Sequence, residues 1–229
     1  MTFWDSVARG VAVLTYWETY VAAIEYLAIF LVPMSLVRIL IDKSSEVSVA
    51  IGCLSFIIIP VLQVFAITVF VLTLSPIMLG LSEDASWSFP WMILQADPVF
   101  MLKFVGQLLL LSILLAFIPI IGQIQSLNTL ILGGFSLALV LKIIEKINPV
   151  VATANIDPIP GFWFIVGILI ISGVLVWIGF LLSAVVLAAM ESIEEGIGQL
   201  LIFPFIALFG FIPVFIYGAW LGSQLAALK

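Results

Sequence analysis

Long apolar runs alternate with short polar interruptions along this chain, and the run lengths set the architecture. A helix rises about 1.5 Å per residue and a bilayer core is about 30 Å thick, so roughly 20 apolar residues make one crossing. The first run extends from about Val11 to Ile41, carries Arg38 near its end and closes at Asp42–Lys43–Ser44–Ser45–Glu46. It exceeds one core thickness, which predicts a tilted helix or one that starts in the interface. Residues 1–10 read as a short interfacial segment, with Trp4 at headgroup depth and Asp5 and Arg9 facing water.

The second run, Val47 to Leu81, is too long for one simple crossing and too short for two. Pro60 and Pro76 interrupt it, which predicts one long, proline-kinked helix. The polar connection from Ser82 to Pro98 carries Trp87, Phe89, Trp91 and Met92 and is expected to fold back onto the membrane surface as an amphipathic loop. Val99 to Ile147 holds two crossings, with a tight turn at Pro119–Gln123 followed by Gln125, Ser126 and Asn128. Lys142, Glu145 and Lys146 suit the last turn of a helix, and Asn148–Pro149 ends it.

The segment NPVVATANIDPIPG predicts a proline-rich, non-helical loop. The next helix runs from Phe162 to about Met190, with Trp163 in an aromatic belt, and the turn Glu191–Gly196 closes it. The last run, Leu200 to Leu228, contains Pro204 and Pro213. Together these predict one all-α domain over residues 1–229. It is a polytopic integral membrane helical bundle of about six crossings in three sequential hairpins, several of them kinked at proline. No repeat relates the two halves beyond composition.

Composition agrees with that picture. The chain is 65% hydrophobic and 9% charged, more apolar than a soluble core can use. Histidine is absent, which removes the commonest zinc ligand, the usual haem ligand and the most versatile general base. Cys53 is the single cysteine, lies in an apolar run and reads as packing. With a net charge of −6 and seven basic residues there is neither a basic stripe for nucleic acid nor a polybasic lipid anchor. No nucleophile motif, phosphate loop or dinucleotide fingerprint is present, so the expectation is no enzyme, no cofactor and no metal. The start of the chain is a poor secretory signal, because Asp5, Glu18 and Glu25 interrupt it. An even number of crossings places both termini on one side. The cytoplasmic side of a plasma or inner membrane is expected, since Arg9, Lys103, Lys142, Lys146 and Lys229 then face inward against Arg38 and Lys43 outward.

Few residues can carry chemistry. Glu18 and Glu25 are seven apart and share one helix face. A carboxylate at the bilayer centre costs about 2.5–3.5 kcal/mol even on insertion scales, so it faces protein or water and often marks an ion or proton path. The other account starts the helix near Tyr20. Glu18 then lies at headgroups among Tyr16, Trp17, Tyr20 and Tyr26, and Glu25 pairs with a neighbouring helix. Gln63 lies three residues after Pro60 and can bond a carbonyl freed there. Lys103, one turn from Gln107, either snorkels to the interface or pairs with Glu25. Glu191, Glu194 and Glu195 read as a solvated turn rather than a cation site, lacking the spacing of a calcium loop. Gly218, Gly222 and Ala226, and likewise Gly179 and Ser183, repeat small residues every four positions, a spacing that lets helices approach within the bundle or between subunits.

Two function classes follow. The first is a non-catalytic membrane subunit that packs with and positions other membrane subunits. The second is a small ion, proton or solute channel or carrier using Glu25, with Glu18, Lys103 and Gln63 along the path. Membrane lipid is a partner in both.

Overall fold

The computed structural model describes residues 2–43, 47–82, 92, 95, 97–116, 125–154, 156–189 and 195–228. Helices α1 (Phe3–Ala12), α2 (Trp17–Lys43), α3 (Val47–Met78), α4 (Pro98–Ala116), α5 (Gln125–Ile147), α6 (Pro149–Thr153), α7 (Phe162–Ala189) and α8 (Glu195–Ala226) make up the body, with no strand among the described residues. Among the described residues, three stretches are long and apolar enough to cross a membrane: Ile58–Met78, Phe162–Gly179 and Leu208–Ala226. Most of the amphipathic connection expected between Ser82 and Pro98, including Trp87 and Trp91, lies outside the described residues, as do the turns at 117–124 and 190–194.

The segment 1–10, expected to be interfacial, holds most of α1 (Phe3–Ala12), a helix that docks on the bundle. Thr2 caps α1: its hydroxyl accepts from the Asp5 N–H (3.3 Å) while the Asp5 carboxylate accepts from the Thr2 N–H (2.8 Å). The Thr2 N–H, then its hydroxyl, hold the Asp5 carboxyl below its usual value. One face of α1 exposes Trp4, Asp5 and Arg9. The other buries Ser6 and Gly10 against α8.

The apolar run from Val11 is not one helix, because the backbone breaks into a 3₁₀ turn at Val13–Thr15 and passes through an extended Tyr16. Around the break, hydroxyl side chains bond the backbone carbonyls. Thr15 donates to the Ala12 carbonyl (2.7 Å), Thr19 to that of Val13 (2.6 Å) and Tyr20 to that of Leu14 (2.8 Å).

α3 runs unbroken through Pro60 and Pro76, as α2 does through Pro33. It ends on Gly80 at φ 65°, where the Leu81 N–H reaches back to the Pro76 carbonyl (2.8 Å) and the Gly80 N–H to that of Ile77 (3.1 Å). This is the Schellman closure, and glycine adopts its left-handed residue without a Cβ penalty. The segment after α5 is not wholly irregular as expected. Pro149 fits the first position of a helix, and Asn148 caps it by accepting from the Val150 N–H (3.0 Å), which gives the single-turn α6. Gln125, Ser126 and Asn128, expected in a turn, lie in the first turn of α5.

α8 is the axis of the packing and contacts α1, α2, α3, α5 and α7. Every residue from Phe211 to Ala219 is buried, as expected for a helix surrounded by others. Around it Tyr26, Phe70, Phe211 and Phe215 form an aromatic cluster, with Phe70 and Phe211 centroids 4.0 Å apart and Tyr26 edge-on to Phe211 at 5.2 Å. Contacts fix the relative directions. α3 and α8 meet at Phe70–Phe211 and again where Met78 and Leu79 face Gly218 and Gly222, so they run parallel. α5 and α8 meet at Gly133–Val214 and Leu137–Gly218, also parallel. α7 opposes α8, since Phe164 meets Trp220 while Gly179 meets Phe209. α4 opposes α5, because Asp97 at its head bonds Lys146 near the end of α5 (3.0 Å).

Candidate functional site

α2 places its polar groups on a shoulder. Thr19, Ala22, Ala23 and Tyr26 form the buried face, and Tyr20 and Ile24 are exposed. Glu18 and Glu25 lie between the two, both half-buried, in one line along the helix. Exposed Val32 continues that line, so the shoulder opens outward further along α2. In each carboxylate the Oε2 atom is buried and accepts no hydrogen bond. An unsatisfied buried acceptor costs about 1–3 kcal/mol, more when charged, so these atoms call for a donor. Glu18 falls in the first turn of α2, where the N-terminal end of the helix dipole favours a carboxylate; Glu25 has no such support.

The other polar residues singled out from the sequence do not gather around Glu25. Lys103 is exposed on α4, a helix that packs on α3 and α5, and its charge acts on Asp97. Gln63 is half-buried on α3. Glu191 and Glu194 lie outside the described residues. No group of three His, Cys, Asp or Glu able to hold a metal occurs among the described residues.

The small residues of α8 are used inside the chain. A Cβ on Gly222 would lie 2.5 Å from the Leu79 carbonyl oxygen, and one on Gly218 would lie 3.0 Å from the Met78 Cβ. Ala226, one turn on, is exposed. Gly179 is buried at ordinary distance from Phe209, and the Ser183 side chain lies outside the described ones. Sequence reasoning missed a second backbone-to-backbone approach. A Cβ on Gly10 would lie 2.7 Å from the Ile216 backbone, and Ser6 is buried one turn earlier. The same four-residue spacing of small residues marked it.

An ion cluster ties α4 to α5. Asp97 accepts from the Phe100 N–H (2.9 Å) and from Lys146, whose ammonium also sits 4.3 Å from the Phe100 ring centroid. The Phe100 N–H first, then Lys146, hold the Asp97 carboxyl below its usual value. Lys142 pairs with Glu145 at 2.7 Å.

Elsewhere, α5, α7, α8 and the Pro158–Pro160 segment enclose an open apolar cavity of about 430 Å³, where the Tyr217 hydroxyl donates to the Pro158 carbonyl. The outward face of α7 beside it is apolar throughout, with Trp163, Ile170, Val174, Trp177, Leu181 and Val185 exposed.

No family model matches this chain, and neither does any curated protein or solved structure. Its class therefore rests on its own features: an all-helical body with three helices long and apolar enough to cross a membrane, consistent with a helical membrane protein.

Proposed function

We propose that this chain is a non-catalytic, multi-pass subunit of a membrane complex, holding other membrane subunits in place through the shoulder of α2. It crosses the bilayer about six times in three hairpins, α2–α3, α4–α5 and α7–α8. The parallel courses of α3, α5 and α8 support that count. The observation that carries the role is the half-buried Glu25 carboxylate, whose inner oxygen has no donor within the described chain and lies beside the exposed apolar face of α2. A donor from a neighbouring helix would satisfy it, and buried carboxylates in membranes usually find one.

The test is purification from the native membrane in mild detergent. Wild-type chain is expected to run with partner subunits on a native gel, and Glu25→Leu to run free of them while folded. A wild-type chain that purifies alone and runs as a single folded species would overturn the role. The carrier alternative keeps one support, the same carboxylate. It predicts pH-dependent flux in reconstituted vesicles that Glu25→Gln abolishes, and no flux in wild type would remove it.

A further inference from the structure

The cavity beside α7 has a chemistry that selects its occupant. Gly134, Phe135 and Ala138 of α5 form one wall and Ile165 and Ile168 of α7 the other. Among the described lining residues the one side-chain hydroxyl, that of Tyr217, is already given to the Pro158 carbonyl. Along the third wall Pro158 and Pro160 have no N–H, and the Ile159 N–H is given to the Asp157 carboxylate at 2.9 Å. That wall therefore keeps no free N–H, and the lining as a whole presents almost no polar surface, so desolvating a polar ligand there would go largely uncompensated. The occupant must be hydrocarbon. The cavity is open rather than enclosed, and Phe135 and Ile159 of its lining are exposed. α7, which supplies Ile165 and Ile168 to the lining, is one of the helices able to cross a membrane, so a bilayer around this helix would reach the exposed rim at Phe135 and Ile159.

We infer that this groove binds one acyl chain of a membrane lipid, which enters from the bilayer with its headgroup near Trp163 and Asp157. The inference rests on the membrane reading and not on the subunit role. Its size suits a slim, flexible hydrocarbon, since pockets for small molecules span about 300–1,000 Å³.

The experiment reconstitutes the full chain in phosphatidylcholine vesicles doped with a phosphatidylcholine carrying a photoactivatable diazirine at mid-chain. Floated vesicles are irradiated and the labelled residues mapped by mass spectrometry. Labelling at Phe135, Ile165 and Ile168 is expected to exceed that at Ile170 and Val174 on the open face several-fold. Ala138→Trp, which fills the groove from α5, should bring the groove residues down to the open-face level, and Ile165→Trp should do the same at Phe135 from the opposite wall should the first variant misfold. Even labelling over α7 in wild type, or labelling unchanged by a folded filled variant, would overturn the inference alone. A chain that does not float with the vesicles would overturn the membrane reading and this inference with it.

Discussion

Gly222 has no space for even a single added carbon, because the Leu79 carbonyl oxygen occupies it. Gly10 is in the same position against the Ile216 backbone. Backbone cannot yield as a flexible side chain can, so Gly222→Leu and Gly10→Ala should each destabilise the bundle by about 1–3 kcal/mol. Gly173, with nothing within 4 Å of its added carbon, is the control. Gly173→Ala should be neutral or stabilising by up to about 1 kcal/mol, since alanine loses less entropy in a helix. Thermal unfolding in detergent measures all three. At this scale the sequence is partly legible. Four-residue spacing marks Gly218 and Gly222, yet it extends to Ala226, which is exposed, because spacing names a face and not where the crossing helix leaves it. Gly10 escapes notice because Trp4, Asp5 and Arg9 around it suggest a helix lying at the interface. Those residues are exposed, and Ser6 and Gly10 lie on the opposite, buried side.

Helix ends, more than helix interiors, decide how these elements are joined. Asp97 caps α4 and ties it to α5 through Lys146. Its folded carboxyl lies below the ordinary 3.8, so its contribution is present above the unfolded value and is lost as pH falls through the folded one. Hydrogen exchange at the Phe100 amide should therefore accelerate as pH drops below about 4, beyond the trend of unlinked amides. Asp97→Asn, which keeps a capping oxygen, should remove that pH dependence while slowing exchange relative to Asp97→Ala. Unchanged exchange in both variants would show that the cap holds nothing. The ends are also where sequence and structure diverge. Pro149 signals the end of α5 and equally the start of α6, and only the Asn148 cap decides between the two. The break after Ala12 is hidden in an apolar run, because its signal is three hydroxyl side chains, Thr15, Thr19 and Tyr20, that answer carbonyls. Composition counts those residues; it does not pair them.

For the molecule as a whole, α3, α5 and α8 end on the side where α4 and α7 begin, and α1 rests against the C-terminal half of α8. Reporter fusions at the two ends should therefore report the same side of the membrane; opposite sides would require an odd number of crossings and would sink the hairpin arrangement. Run lengths made the all-helical class legible, and three of the expected runs contain stretches long and apolar enough to cross a membrane. The order of packing around α8 was not legible. An apolar helix in an apolar chain looks alike whether it meets lipid, as the outward face of α7 is arranged to do, or other helices, as Phe211 to Ala219 do. The site was legible to the same degree. Two glutamates seven apart announce a shared face. That both would keep an oxygen buried without a donor depends on neighbours that no local pattern specifies.

The docking of α1 on α8 has a consequence for how the molecule is made. A ribosome delivers α1 ahead of the other described helices and α8 behind them, so the surface that Ser6 and Gly10 need does not exist until synthesis has passed Ile216. On the proposed membrane arrangement, the earlier helices must until then wait with their contact faces for α8 turned toward lipid or toward whatever factor attends insertion. The close backbone contacts at Gly10 and at Gly222 thus form only once α8 is present, and its packing becomes a test that the earlier segments arrived in register.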